Sequence, residues 1–546
     1  MRSPAQVFMV VGVLLILIVI LSPIVSIVFV SLTAQDSLLQ YLSTPAVLRY
    51  AVNTLVLVGG VACVALVIGV GTAWLVSSYE FPFRRILELA LFFPLAIPAY
   101  VGAYALVDFF EFAGPFQTAL RAAFGWNLAT DYFFPQIRTQ GGAILVLSLS
   151  LYPYVYLLTR SAMREKSVAA LEVASTLGAG RWSRFVRVTL PMVRPGIVSG
   201  LVIVMMETVA DFGVVDYFAV QTLTTAIYST WLVRYDVGGA AQISLVILVI
   251  VTVIVGMERV GRGRAAYHQS ALRPSASGRH AIVGAPGLLI AGMCALPVLF
   301  GFALPVGVML GHALENREHW LDRNLVQALI NTLYLCTAAA IATVAAANLL
   351  VFVVRGARSW LGNTVLSLTM IGYATPGAIL GLGILLPLSK LDHAVADAWQ
   401  YLTGEDPGLL MTGSAFAVGM AYCIRFFALA QGAADSAMGR VSPNIVSAAR
   451  SLGRTAAGTL VSVKMPIMRG SMIVAALLVF VDSVKELPAT LLLRPFNFNT
   501  LATRVYERAS LEAIGEAAPA ALLVTLVGCM GVAVIARTRN RLVDSR

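Results

Sequence analysis

Charge is scarce in this chain of 546 residues: Asp, Glu, Lys and Arg make up 12% of it, against about a quarter in an ordinary water-soluble domain, while 59% is hydrophobic. A soluble globule is excluded. Lysine is rarer still. The only four, Lys166, Lys390, Lys464 and Lys485, never follow a glycine, so no phosphate-cradling P-loop is encoded and any nucleotide-derived energy must come from another chain. Each of the five cysteines, Cys63, Cys294, Cys336, Cys423 and Cys529, stands alone in an apolar run, without the paired spacing of a zinc site or a disulfide framework. The five histidines lie in polar connections and form no H-E-x-x-H, so a hydrolase built on metal or thiol is not expected. A net charge of +11 suits the cytoplasmic loops of a polytopic membrane protein, and no nucleic-acid partner is expected.

What the chain has is apolar length. A span needs roughly 20 apolar residues, and about twelve such stretches begin near Phe8, Thr54, Ile86, Ala143, Gly196, Ile243, Leu288, Leu329, Val365, Ala415, Met472 and Ala520. Arginine and lysine near the span ends set the orientation. The segment 160–195 carries Arg160, Arg164, Lys166, Arg181, Arg184, Arg187 and Arg194, and 435–470 carries Arg440, Arg450, Arg454, Lys464 and Arg469. Both are expected to face the cytoplasm, together with Arg84, Arg85 and both termini.

The sequence repeats itself. Asn53-Thr54-Leu55 recurs as Asn331-Thr332-Leu333 and Pro98 as Pro376, both 278 residues on (331 − 53), whereas Gly178 and Pro191 recur as Gly453 and Pro466, 275 residues on (453 − 178). Copies of six spans each are parallel duplicates, because an even number of crossings restores the starting side. The expected division is a first repeat 1–257, a linker 258–282 and a second repeat 283–546, with the halves packed about a pseudo-two-fold axis along the membrane normal.

In the first copy the loop reads Leu171-Glu172-Val173-Ala174-Ser175-Thr176-Leu177-Gly178, then Arg181-Trp182-Ser183-Arg184-Phe185, and closes at Leu190-Pro191. The expectation is a short helix ended by Gly178, a turn, and a second amphipathic helix stopped at Pro191. On residue chemistry alone the pair could simply lie on anionic headgroups; its recurrence in both halves argues for a paired docking surface. The pattern E-A-A, three residues, G, and a later L-P resembles the membrane subunits of binding-protein-dependent ABC importers. The second copy, Ser447-Ala448-Ala449 through Gly453 to Met465-Pro466, replaces the acid by serine and the leucine by methionine. The resemblance implies that the loops are coupling helices seated on an ATPase subunit, with one fewer ion pair in the second half.

The segments Glu207-Thr208-Val209-Ala210-Asp211-Phe212-Gly213 and Asp482-Ser483-Val484-Lys485-Glu486-Leu487-Pro488 make the chain similar to the fused permeases of ferric-iron importers. The two-copy layout is shared with thiamine permeases. The resemblance implies an all-α polytopic membrane protein of two tandem six-helix type I permease units in a bacterial inner membrane. It also implies an iron(III) substrate from a periplasmic binding protein, and a homodimeric ATPase that binds the ATP and magnesium. This chain itself is expected to hold no cofactor and to perform no bond chemistry.

Glu207 and Asp211 are four apart on one helical face, and a shift of 275 brings them to Asp482 and Glu486. An ionised acid at mid-membrane costs about 2.5–3.5 kcal/mol, so four call for partners or a water-filled path. Oxygen ligands suit a hard trivalent cation; structural or gating pairing with Lys485, Arg425 or the amides near Pro488 is the reading favoured for the acids on residue chemistry alone. Asp216 ranks below these four. Asp392, His393 and Asp397, and Glu315, His319 and Asp322, have helical spacings but no firm claim to a metal. Thiamine or another small cation remains an alternative cargo, and from other classes a proton-coupled secondary transporter or a membrane scaffold.

Overall fold

The computed structural model describes residues 4–34, 38–165, 173–174, 176–178, 180–262, 280–357, 360–370, 372 and 375–544. Among the described residues eleven helices are long and apolar enough to cross a membrane, or twelve if one bent pair counts as a span. In chain order these are Val11–Thr33, Pro45–Ser78, the bent pair Arg84–Ala96 with Ala99–Phe124, Gln140–Met163, Trp182–Ala210 and Val237–Glu258, then Ala285–Glu315, Arg323–Arg355, Gly377–Thr403, Phe416–Gly439, Leu460–Val484 and Ile514–Val534. They are called the first to twelfth spans below.

Two spans are broken at the recurrent prolines, where a helix break is expected. The third bends by 98° between its two helices, and the stretch expected from Val365 divides into the helix Trp360–Thr369 and the ninth span. The cause is the same in both copies. Pro98 (φ −57°, ψ 139°) and Pro376 (φ −54°, ψ 146°) are N-cap residues in extended conformation, and the helices start at Ala99 and Gly377. A ring without an N–H is tolerated at a helix start but clashes in its interior.

The chain forms two compact units that do not follow the sequence copies. One comprises Met1–Leu42, Ile227–Leu245 and Trp320–Glu507; the other comprises Ser43–Ala226, Val246–His319 and Arg508–Arg546. Each unit therefore takes its opening span from the other repeat. In the first unit, the first span packs on the eighth and ninth. The approach is close enough that a Cβ on Gly383 would meet the carbonyl oxygen of Pro23 at 2.5 Å. In the second unit, the seventh span packs on the helices flanking Pro98, and a Cβ on Gly301 would meet the oxygen of Leu149 at 2.8 Å. Glycine is required at both crossings because backbone stands where a side chain would go.

Inside each unit the same bonds recur at the same repeat positions. Asn53 Nδ2 donates to the carbonyl of Gln221 at 2.9 Å, and Asn331 Nδ2 to that of Asn499 at 3.0 Å. The Leu223 N–H donates to Thr54 Oγ1 at 3.0 Å, and the Leu501 N–H to Thr332 Oγ1 at 2.8 Å. Thr222 and Thr500 each donate their N–H at 2.9 Å to the hydroxyl three residues on, Thr225 and Thr503. The duplicated Asn-Thr pair thus anchors the chain that leaves the capped acids described below.

Candidate coupling and translocation sites

The coupling segments are built alike. Gly178 at φ 76° and Gly453 at φ 82° end their first helices in the left-handed region, where glycine alone pays no Cβ penalty. In the second copy the helix Pro443–Ser451 is capped by Ser442, whose hydroxyl accepts from the Asn444 N–H, and its end is closed by Arg454 N donating to the Ala449 oxygen at 3.1 Å. Ser447, Ala448 and Gly453 are exposed and Ala449 is buried; Ala174 is half-buried and Gly178 exposed. Glu172 lies outside the described residues, as do 263–279 of the linker.

The second helix is not stopped at its proline, contrary to expectation. A π turn, Phe185–Thr189 in one copy and Leu460–Lys464 in the other, leads directly into Leu190-Pro191 and Met465-Pro466, so the segment and its span form one continuous helix. The wider turn gives the ring room, and the missing N–H falls in the first turn of the following helix. Leu190 is half-buried, while Pro191, Met465 and Pro466 are exposed. A helix from Trp182 to Ala210 is about 43 Å long at 1.5 Å per residue, and Asp211 stands at its far end.

Near the ends of the neighbouring spans lie ion pairs that charge counting along the sequence missed. In the second unit, Arg84 Nη1 meets Glu88 at 2.9 Å, Arg84 Nε meets Glu80 at 2.9 Å, and Arg160 pairs with Glu88. Arg84, Glu88 and Arg160 are all buried, and Tyr156 Oη donates to the Glu88 carbonyl at 3.0 Å. The sequence marked these arginines only as cytoplasmic anchors; the available signal was Glu88 lying four residues from Arg84 on one helical face. In the first unit, Arg355 forms a two-pronged pair with Asp435 at 2.7 and 2.8 Å, and Lys464 lies 5.0 Å from the Phe352 ring centroid.

The four acids divide into two kinds. Asp211 Oδ1 accepts the N–H groups of Val214 at 3.0 Å and Val215 at 3.2 Å, capping the short helix Gly213–Tyr217. Glu486, shifted by 275 (486 − 211), does the same for the helix Pro488–Leu493, accepting from Ala489 N and Thr490 N, each at 3.1 Å. Glu486 also accepts from Thr490 Oγ1 at 2.9 Å and pairs with Arg425 at 3.1 Å. Carboxylates at helix N-termini answer otherwise unsatisfied amides, so the geometry of these two is structural. Their companions Glu207 and Asp482 stand one turn earlier, and each is half-buried. Asp482 makes no side-chain hydrogen bond among the described residues, although Lys485 and Arg425 contribute positive field there. Asp216 is exposed.

The histidine-containing loops contribute no metal cluster among the described residues. Asp392 instead closes a loop, accepting from Leu410 N at 2.9 Å, Met411 N at 3.0 Å, and Thr412 N at 2.8 Å and Oγ1 at 2.7 Å. Asp322 is engaged by Arg504.

Residues 65–260 match the family described as binding-protein-dependent transport system inner membrane component. The chain is 24% identical over 496 residues to the Fe(3+)-transport system permease protein FbpB 2 of Haemophilus influenzae, covering 89% of each chain. It is 28% identical over 207 residues to the molybdenum transport system permease protein ModB of Escherichia coli, covering 36% of this chain and 87% of that one. With the sulfate transport system permease protein CysT of Escherichia coli it shares 27% over 187 residues, 33% of this chain and 64% of that one. The two copies, each with its glycine-ended segment feeding a continuous span, thus make the chain similar to inner membrane components of binding-protein-dependent transport systems.

Proposed function

We propose that the chain carries iron(III) inward from a periplasmic binding protein, and that a homodimeric ATPase drives it by docking one copy on each coupling segment. The observation that carries the choice of cargo is the extent of likeness: the Fe(3+) relative pairs with 89% of this chain, both copies included, whereas the molybdenum and sulfate relatives pair with about a third. The chemistry agrees. Each repeat offers one carboxylate that capping does not consume, Glu207 and Asp482, and a hard trivalent cation prefers such oxygen ligands. Both termini and both coupling segments face the cytoplasm, ATP and magnesium reside in the ATPase, and this chain holds no cofactor and breaks no bond.

The test is uptake into proteoliposomes containing the chain and its ATPase, with the binding protein and radiolabelled iron(III) outside. Iron uptake that needs ATP and survives an uncoupler is the expected result. Uptake of thiamine or molybdate in its place refutes the cargo, and iron uptake without the ATPase, collapsed by an uncoupler, refutes the drive in favour of proton coupling.

A further inference from the structure

Between Glu111 and Arg138 the chain carries two charged side chains, Arg121 and Asp131, and both are spent on folding the segment itself. Arg121 Nη1 donates to the Phe112 oxygen at 2.8 Å and to Tyr132 Oη at 3.1 Å, its Nη2 donates to Thr118 Oγ1 at 3.2 Å, and its guanidinium carbon lies 4.0 Å from the Phe112 ring centroid. Asp131 Oδ2 accepts the N–H groups of Asn127 at 2.8 Å and Leu128 at 2.9 Å. The buried Gln117 donates to the Phe110 oxygen at 2.8 Å and accepts from Tyr132 Oη at 2.5 Å. On this frame Phe124, Trp126 and Tyr132 form a continuous stack, with neighbouring centroids 4.8 and 4.9 Å apart. Phe110, Phe116 and Phe134 interlock beside it and reach Phe300 of the seventh span.

What this fold turns outward is apolar. Phe133 is 92% exposed, Phe124 64% and Leu128 63%, and Phe112 and Phe116 are exposed as well. Apolar area on this scale is unfavourable in water and marks a surface that something covers. The occupant follows from continuity: the helix Pro115–Phe124 closes the bent third span, so the patch extends a membrane-crossing element at the end away from the coupling segments. Phenylalanine and leucine beside a Trp–Tyr stack, with the local charges already engaged, is the composition of the zone where hydrocarbon meets headgroups. We infer that the segment 112–133 is a lipid anchor, seated in the bilayer interface on the side opposite the coupling segments. Its work is local. Pro98 interrupts the third span, so no helical ladder ties Ala99–Phe110 to the half before the break; the anchor holds that far half from the lipid side.

The test places a tryptophan on the patch in proteoliposomes of the full chain and reads the emission added over that of the unmutated protein. For Phe133→Trp and Leu128→Trp this emission is expected to fall by about twofold in brominated phospholipid and to change little with iodide on both sides of the bilayer. Glu405→Trp, in an exposed loop, should respond to iodide and not to bromine. Both patch positions point outward, so neither substitution disturbs packing. Iodide quenching as strong as that of Glu405→Trp overturns the anchor, and protection from iodide that appears only on adding the periplasmic binding protein assigns the patch to that protein instead. The hold on the third span is read by hydrogen exchange: Phe124→Ser/Phe133→Ser should speed exchange of the amides in 99–110 roughly fivefold, and unchanged exchange there refutes it.

Discussion

Replacing Glu486 by glutamine separates a cap from a cargo ligand. The carboxylate accepts four hydrogen bonds, from Arg425, Ala489 N, Thr490 N and Thr490 Oγ1, at 2.9–3.1 Å, and Glu486 is 4% exposed. Glutamine keeps the shape and one acceptor, but its amide presents hydrogens to Arg425 or to the helix N–H groups, donor against donor. Breaking one side of a buried pair costs about 3–5 kcal/mol. Glu486→Gln should therefore lower the apparent melting midpoint of the detergent-solubilised protein, followed by loss of the monodisperse chromatographic peak, and deplete the membrane of folded protein. Arg425→Met should recover part of the loss in the double variant, with a coupling of about 0.5–3 kcal/mol in the cycle. Asp482→Asn, with no side-chain bond to lose among the described residues, should shift stability by less than about 1 kcal/mol yet depress iron uptake, and Glu207→Gln should depress uptake too. Normal melting of Glu486→Gln with abolished transport would move Glu486 into the path and refute the division. Unchanged uptake by the Glu207→Gln/Asp482→Asn double variant would remove the path altogether.

Two further outcomes are expected. Gly178→Ala and Gly453→Ala place a Cβ in open space but at φ 76° and 82°, so each should cost about 1–2 kcal/mol of local order at the segment end; faster proteolytic nicking there checks it, and unchanged nicking contradicts it. Asp211→Ala should cost about 1 kcal/mol, as loss of a helix cap does, while Asp211→Asn, an equally good cap, should melt normally; a larger loss from Asn would mean that the charge itself is needed.

The spans and the duplication were legible because hydropathy and spacing report them directly: a shift of 278 between the Asn-Thr pairs (331 − 53) becomes, in three dimensions, the same pair of hydrogen bonds in each unit. The breaks at Pro98 and Pro376 were readable as well, because a proline deep in an apolar run removes an N–H and clashes with the preceding turn. Exchange of the opening spans leaves no trace in local pattern, since an apolar helix buries equally well against either copy; only the glycines at the crossings, Gly383 and Gly301, hint that something must come close. The buried Glu88 set was hidden because arginines near span ends read as loop anchors. The capping role of Asp211 and Glu486 had a readable signal, an acid shortly before a new helix start, here Gly213 and Pro488, and static pairing near Pro488 was among the expectations.

The distribution of sameness within the chain bears on the mechanism. At one end of the fifth and eleventh spans the copies share a device: an acid accepts two backbone N–H groups of the next short helix, and a second acid stands one turn earlier. At the other end they share only backbone devices, the positive-φ glycine and the π turn before a proline, while the side chains beneath differ in size, charge and burial. The fifth span, about 43 Å long at 1.5 Å per residue, joins those two ends in the first copy, so the shared acid geometry is kept over unlike side chains at the opposite end.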